Sequence, residues 1–548
     1  MRTTMLWFLL SGALLLAGDV DPISPEALLV TVKTLSDVQP PGTADPKVAH
    51  PWTVKGGRGP RSGGYDVARW IASRMGAAGL RPIGERKSFL IPFDVELRWL
   101  RPEGAFACLP AYGDPERADL RKDWLPCCFS AAGDVRARVV FVGYGITAPE
   151  WGYDDYAGVD VRGKVALALA HEPREDQDGE AFEGKKLSRH GAEAEKALEA
   201  QRHGAVALVI VPEPSHPDGD PLETEATSWP GVVPAKDRER IESDDGRAKH
   251  LDEWTWAAGR QTRYARTRAE LRIPCIIVRR SWVEHALPHG AVDLDEAQKG
   301  IDADLKPRSH ELEERLWVDV DFRVERLPSA NVVGEIPGET AEEAIVVGAH
   351  YDHFDPTADA VWPGACDNAS GVAVILGVAE RLAKTHPRRT IVFAAFGGEE
   401  LGLQGSRALV ADPPLPLSRV VAMVNLDMAG RGDEDKLTLL GVLRNPELAQ
   451  VARDANANVG FALQENIEFA WPQGSDHFSF HEAGVPALML TSSRFPEYHT
   501  SKDVADAVSG TKMAKAASLL AEFVERLAAG EGRFPAPKEV DVPYPTHK

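Results

Sequence analysis

The chain has 548 residues, 43% of them apolar, and a formal net charge of −21. That length and apolar share exclude disordered, collagen-like and disulfide-miniprotein classes, and at about 150 residues per unit allow three to four folding units. The acidic excess argues against a nucleic-acid backbone or an anionic membrane surface as the main partner.

In chain order, Met5 to Ala17 is a short apolar run behind a basic start. It is shorter than a comfortable membrane span and predicts a secretory signal over residues 1–18. The expectation is a secreted or periplasmic protein with no stable membrane span after signal removal; an uncleaved anchor is the alternative. Cys108, Cys127, Cys128, Cys275 and Cys366 are odd in number, so at least one stays outside any internal disulfide. No Cys-x-x-Cys occurs, which argues against a thiolate zinc knuckle.

Ser24-Pro25-Glu26 combines an N-cap, a first-turn proline and an early acid, and opens a helix through about Ser36. A Gly/Pro/basic loop, Lys55 to Gly64, leads into a helix from Gly63 to Gly79, with Val67, Trp70, Ile71 and Met75 on one face. Short alternating runs such as Phe89 to Leu97 follow. From about Val135 the texture changes: Val139 to Gly145, Lys164 to Ala170 and Val206 to Val211 read as buried strands, with a helix over Glu193 to His203. A polar, charged excursion from His216 to Arg268 carries Trp229, Trp254 and Trp256, and a strand returns at Ile273 to Val278.

From about Ser329 strands and helices alternate. Strands are predicted at Glu343 to Ala349, Thr390 to Phe396, Val420 to Leu426 and Pro486 to Leu490, and helices at Asn368 to Lys384, Glu447 to Asn456 and Thr511 to Ala528. The pattern predicts an α/β fold, a mostly parallel central sheet with helices on both faces. Residues Gly530 to Lys548 form a Pro-rich charged tail.

Chemistry concentrates at the strand ends. The first strand runs into His350-Tyr351-Asp352-His353, the second into Glu399-Glu400 and the third into Asp427. Gly364 to Gly371 carries Asp367 just ahead of a helix, and His499 follows the fourth strand. Open α/β sheets bind ligands at the carboxyl ends of their strands, so these groups can converge. Any one of them is ordinary; their coincidence is not. Asp367, Glu399, Glu400 and Asp427 would repel one another unless divalent cations offset them. Imidazole plus carboxylate without sulfur points to zinc first, with cobalt or manganese as alternatives. Two ions would share Asp367 as a bridge. Of Glu399 and Glu400 one ligates and the other faces the attacking water; the spacing alone does not say which. Asp352 shares a face with His350 and is expected to accept from its second ring nitrogen, with Asp503 a weaker candidate for that task at His499.

The segments GAHYDH, GACDNASG, FGGEELGLQGS, NLDMAG, GSDHFSF and EYHTSKD resemble, in order and spacing, the co-catalytic dizinc aminopeptidases of the aminopeptidase S and aminopeptidase Y type. The resemblance covers about residues 345–503. It implies two Zn2+ per chain held by His350, Asp367, Glu400, Asp427 and His499, and Glu399 as general base. It also implies peptide or protein N-termini as substrates. VVFVGYGITAPEWGYDDYAGVDVRGKVALAL, HGAVALVIV and IPCIIV resemble an inserted, β-rich protease-associated domain. The implied organisation is a peptidase domain in two parts, residues 19–134 and 291–529, around an insert at 135–290. Some relatives carry a Tyr before the Ser-Asp-His segment, or a disulfide nearby; here that stretch is Trp471-Pro472-Gln473-Gly474, with no Cys close by.

Alternatives within the fold are a carboxypeptidase, for which Arg431 or Arg494 would hold a substrate carboxylate, a one-zinc glutaminyl cyclase, and a non-catalytic receptor-like relative. The complete donor set argues against the last two.

Overall fold

The computed structural model describes residues 21–538 except 40–54, 56, 110–113, 176, 178–180, 185–187, 216–221, 223–263, 288–290, 357–360 and 466–473. The predicted signal, most of the charged excursion with its three tryptophans, Trp471 to Gln473 and the last ten residues of the tail lie outside the described residues.

The site-bearing sheet has nine strands among the described residues. At its centre Arg389–Phe396, Thr340–His350, Val420–Leu426 and Ala487–Thr491 run parallel in that spatial order. Antiparallel neighbours close both sides: Phe322–Ile336 beside Arg389–Phe396, and Lys436–Leu440 beside Ala487–Thr491. Arg389–Phe396, Val420–Leu426 and Ala487–Thr491 are mostly apolar and buried throughout because both faces are covered. Along Thr340–His350, Ile345, Val347 and Ala349 enter the larger core, while Ala344 and Val346 enter a second one on the opposite face. Pro25–Ser36, Gly64–Ala77, Gly371–Leu382, Pro446–Asn456 and Gly510–Ala529 cover the first face. The second face packs on Leu409 of Gln404–Ala411 and Phe480 of His477–Glu482. The expected α/β architecture is thus present.

The eight-stranded second sheet takes its strands from Ala105 to Val320 and has its own two apolar clusters, built around residues such as Phe141, Leu167 and Val209 on one side and Val140, Ala166 and Leu208 on the other. Its Gly133–Phe141, Val165–Leu169, Ala207–Val211 and Cys275–Val278 strands are parallel neighbours. All five cysteines are buried, and none forms a disulfide.

Two differences from the sequence reading have physical causes. The helix expected from Asn368 begins at Gly371, because Asp367 (φ −106°, ψ 97°) and Asn368 (φ −126°, ψ 40°) leave helical geometry. The long strands His310–Val320 and Phe322–Ile336 and the helix Leu294–Asp304 were not foreseen. In HELEERLWVDV charged residues alternate with buried apolar ones, so the stretch resembles surface when read residue by residue.

Candidate metal centre

Each candidate donor sits just where a central strand ends or its connection turns back. His350 is the last residue of Thr340–His350. Glu399 and Glu400 follow Arg389–Phe396, and Asp427 follows Val420–Leu426. Asp367 lies in the turn before Gly371–Leu382. His499 lies beyond Ala487–Thr491 in a left-handed backbone conformation (φ 57°).

The donors form two half-sites that share Asp367. In one, His350 Nε2 stands 3.2 Å from Asp367 Oδ1, 3.3 Å from Asp427 Oδ1 and 4.0 Å from Glu399 Oε2. In the other, His499 Nε2 stands 3.0 Å from Asp367 Oδ2 and 3.2 Å from Glu400 Oε2. A tetrahedral zinc with bonds of about 2.0–2.1 Å spaces its donor atoms about 3.3 Å apart, so the residues present fit the ion. A second observation agrees. Asp367 Oδ2 and His499 Nε2 are both buried and face each other, yet neither finds a well-formed hydrogen bond among the described residues. Two buried donors so close together without a hydrogen bond suit a cation beside them.

Hydrogen bonds fix this geometry from several elements. Asn368 Nδ2 donates to Leu426 O (3.0 Å), and its Oδ1 accepts from Met428 N (3.0 Å) and Gly371 N (2.9 Å), tying the Asp367 turn to the Asp427 strand end. Asp352 Oδ1 accepts from Glu399 N (3.0 Å) and its Oδ2 from Glu400 N (3.3 Å). This is a correction in detail. The nearest acceptor for His350 Nδ1 is the main-chain oxygen of Asp352 at 3.2 Å, and the carboxylate is 3.7 Å away. The Asp352 side chain therefore orients the Glu399–Glu400 turn first and the imidazole second. Asp503 is a further correction. Its carboxylate accepts from Cys366 N (3.0 Å) and Asp367 N (3.0 Å) and supports the Asp367 turn, not His499.

His353 was not singled out from the sequence, since a period of two places it on the opposite face from His350. It is buried, and its Nδ1 lies 2.6 Å from Glu400 Oε1. Asp476 belongs to a quoted segment but had no assigned role; it is fully buried, and burial pushes its carboxyl up to about 7. Tyr498 stacks on His499 with ring centroids 3.7 Å apart. The His353 contact could be found only from the structure, because its partner Glu400 is remote in sequence.

The electrostatics separate the two glutamates. Burial, reinforced by Asp427 and Glu400 and only partly opposed by His350, pushes the Glu399 carboxyl well above its usual range. Burial and Asp367 push Glu400 the same way, but His499 and His353 outweigh them and hold it at about 2. Burial alone would lower both ligand imidazoles; Glu399 and Asp427 raise His350 well above its ordinary value, and Glu400 and Asp367 bring His499 to about 9. The site thus demands positive charge. Another His-carboxylate group, His171 with Glu175 and Glu213, lies in the second sheet's half, where one imidazole nitrogen already faces both carboxylates at 3.1 and 2.6 Å.

Residues 331–524 match the model of Peptidase family M28, and residues 131–237 match that of the PA domain. Residues 331–524 are thus similar to peptidase family M28, and residues 131–237, ahead of most of them in the chain, to a PA domain, in line with the resemblance read from the motifs. It is 30% identical to a probable zinc metalloprotease of Leptosphaeria maculans over 254 residues, which covers 38% of this chain and 58% of that one. It is 32% identical to an aminopeptidase of Bacillus subtilis over 208 residues, covering 36% and 44%. The matches span about half the length of these curated relatives. Among solved structures, an aminopeptidase from Aneurinibacillus sp. strain AM-1 is similar at 22% identity and a TM-score of 0.48, covering 96% of this chain and 98% of that one.

Proposed function

We propose that the protein is an exported, zinc-dependent aminopeptidase that removes residues from the N-termini of peptides, with two Zn2+ per chain. One observation supports this reading: two clusters of His and carboxylate donors share Asp367, with Glu399 beside them at 4.0 Å from His350 Nε2. His350, Asp367 and Asp427 would hold one ion, and His499, Asp367 and Glu400 the other. Bound there, zinc supplies Lewis-acid polarisation of the scissile carbonyl and a more acidic attacking water.

The chain's own residues do the rest. Glu399 retains 12% side-chain exposure, against 5% for Glu400, so it borders the space from which water and substrate arrive. There its carboxylate is placed to take the water's proton at an oxygen and return it to the leaving amine. Asp352 sets that carboxylate by holding the backbone N–H groups of Glu399 and Glu400. His353 holds Glu400 in the ligating direction. The acidic surroundings favour a substrate with a free, cationic α-amine.

The carboxypeptidase reading requires an arginine to bind a substrate carboxylate. Arg431 is committed elsewhere: Nη1 donates to Ala507 O, Nη2 pairs with Glu497, and the guanidinium lies 5.1 Å from the centroid of the Phe495 ring. Arg494 lies 5.8 Å from the centroid of the Tyr498 ring. Export rests on the Met5 to Ala17 run; among the described residues no helix is long and apolar enough to cross a membrane. A panel of aminoacyl chromogenic substrates, assayed with chelator and after zinc is restored, tests the function. Hydrolysis should vanish with chelator and return with zinc. Hydrolysis indifferent to chelator contradicts the proposal.

A further inference from the structure

Arg58 lies 309 residues upstream of Asp367 and outside the residues matched by the peptidase family model, yet its guanidinium is buried directly beneath the shared aspartate. Nη1 donates to Leu35 O and Pro363 O, both at 3.1 Å. Nη2 donates to Gly364 O at 2.9 Å and Asp367 O at 3.4 Å. Three of the four acceptors belong to the turn that carries Asp367. The fourth, Leu35 O, belongs to the last turn of Pro25–Ser36, where helix carbonyls lack intrahelical partners and carry partial negative charge.

Burying a guanidinium among carbonyls alone is costly. Here Asp367, Asp503, Asp352 and Glu400 surround it and favour its charge. Burial lowers its pKa only to about 10, so it stays cationic at neutral pH. The turn is shaped for this contact. Gly364 has φ 55°, and a Cβ there would stand 2.6 Å from Arg58 Nη2, so only glycine allows both the backbone conformation and the approach. From the other side Asp503 accepts the N–H groups of Cys366 and Asp367. The turn is gripped by its carbonyls from one side and by its N–H groups from the other.

We propose that Arg58 is a positioning residue for the metal centre: it props the Gly364 to Asp367 turn so that the two oxygens of Asp367 serve both half-sites, while its charge tempers the acidic donors before metal enters. This rests on the zinc reading above. Lysine keeps the charge but loses the planar fork that reaches several carbonyls at once, so Arg58→Lys separates the two contributions.

The test uses full-length protein stripped of metal. Zinc affinity is measured by competition with a chromogenic chelator, and the melting temperature of the metal-free form is measured in parallel, for wild type, R58K and R58M. The expected result is at least tenfold weaker zinc binding in R58M and an intermediate loss in R58K, beyond any change in metal-free melting temperature. If R58M does not fold, R58K alone decides. Lower metal-free melting temperature with wild-type zinc affinity in the folded variants would reduce Arg58 to a structural tie and overturn the proposal. Wild type that binds no zinc would instead sink the function on which it rests, a distinguishable failure.

Discussion

Glu400 meets two imidazoles, His499 at 3.2 Å and His353 at 2.6 Å, whereas Glu399 meets one, at 4.0 Å. The division of labour between neighbouring, chemically identical side chains therefore comes from their partners. Glu399→Gln keeps the shape and removes the proton acceptor. It should leave zinc content unchanged and lower kcat by about 10²–10⁴-fold, the range of general base catalysis; metal analysis and steady-state kinetics on one preparation check this, and full activity contradicts it. His477 offers a residue-scale test of stability. Burial, with the positive charges of His481 and Arg444, pushes its imidazole down to about 3. The folded pKa lies below the unfolded value of about 6.5, so the unfolded chain gains a proton first on acidification. The stability from neutral His477 is present above pH 6.5 and lost as pH falls toward 3, by about 3 kcal/mol two pH units below 6.5. His477→Gln should flatten the fall in melting temperature between pH 7 and 4.5; parallel wild-type and variant curves contradict it.

At the scale of elements, the turn bearing Glu399 is placed by close backbone packing. Gln404–Ala411 begins where a Cβ on Gly405 would stand 2.0 Å from Gly397 O. Asn331 clamps the same spot, with Nδ2 donating to Gly405 O (2.8 Å) and Oδ1 accepting from Gly397 N (3.3 Å). Gly405→Ala should cost about 1–3 kcal/mol as overpacking against backbone and lower kcat more than it raises KM, because the crowded Gly397 carbonyl belongs to the turn that carries the base Glu399. Denaturant melts and kinetics test this; a change in neither contradicts it. Much of this scale was legible beforehand. Val420–Leu426 and the neighbouring strands are continuous apolar runs, and acids or histidines interrupt them only at their ends. What stayed hidden were couplings between remote segments. Nothing in the Lys55 to Gly64 loop signals that Arg58 reaches Asp367, and nothing in the quoted motifs signals that Asp352 holds the Glu399 backbone or that Asp503 serves Asp367.

At the scale of the whole molecule, the two sheets have separate apolar clusters, and the donors belong to the nine-stranded one alone. A ligand that binds only the folded state stabilises by about 4 kcal/mol at a thousandfold excess over Kd. Zinc removal should therefore lower the calorimetric transition of the peptidase part and leave that of the second sheet in place; equal shifts in both contradict the assignment. The formal charge of −21 also changes meaning, since four of the acids form a buried group that two divalent ions would offset. The central claim is cleavage at a free N-terminus, and the most direct measurement pairs one peptide with its N-acetylated twin and follows the products by mass spectrometry. The account predicts loss of the first residue from the free-amine peptide and none from the acetylated one; equal cleavage of both, or release of the C-terminal residue, would contradict it.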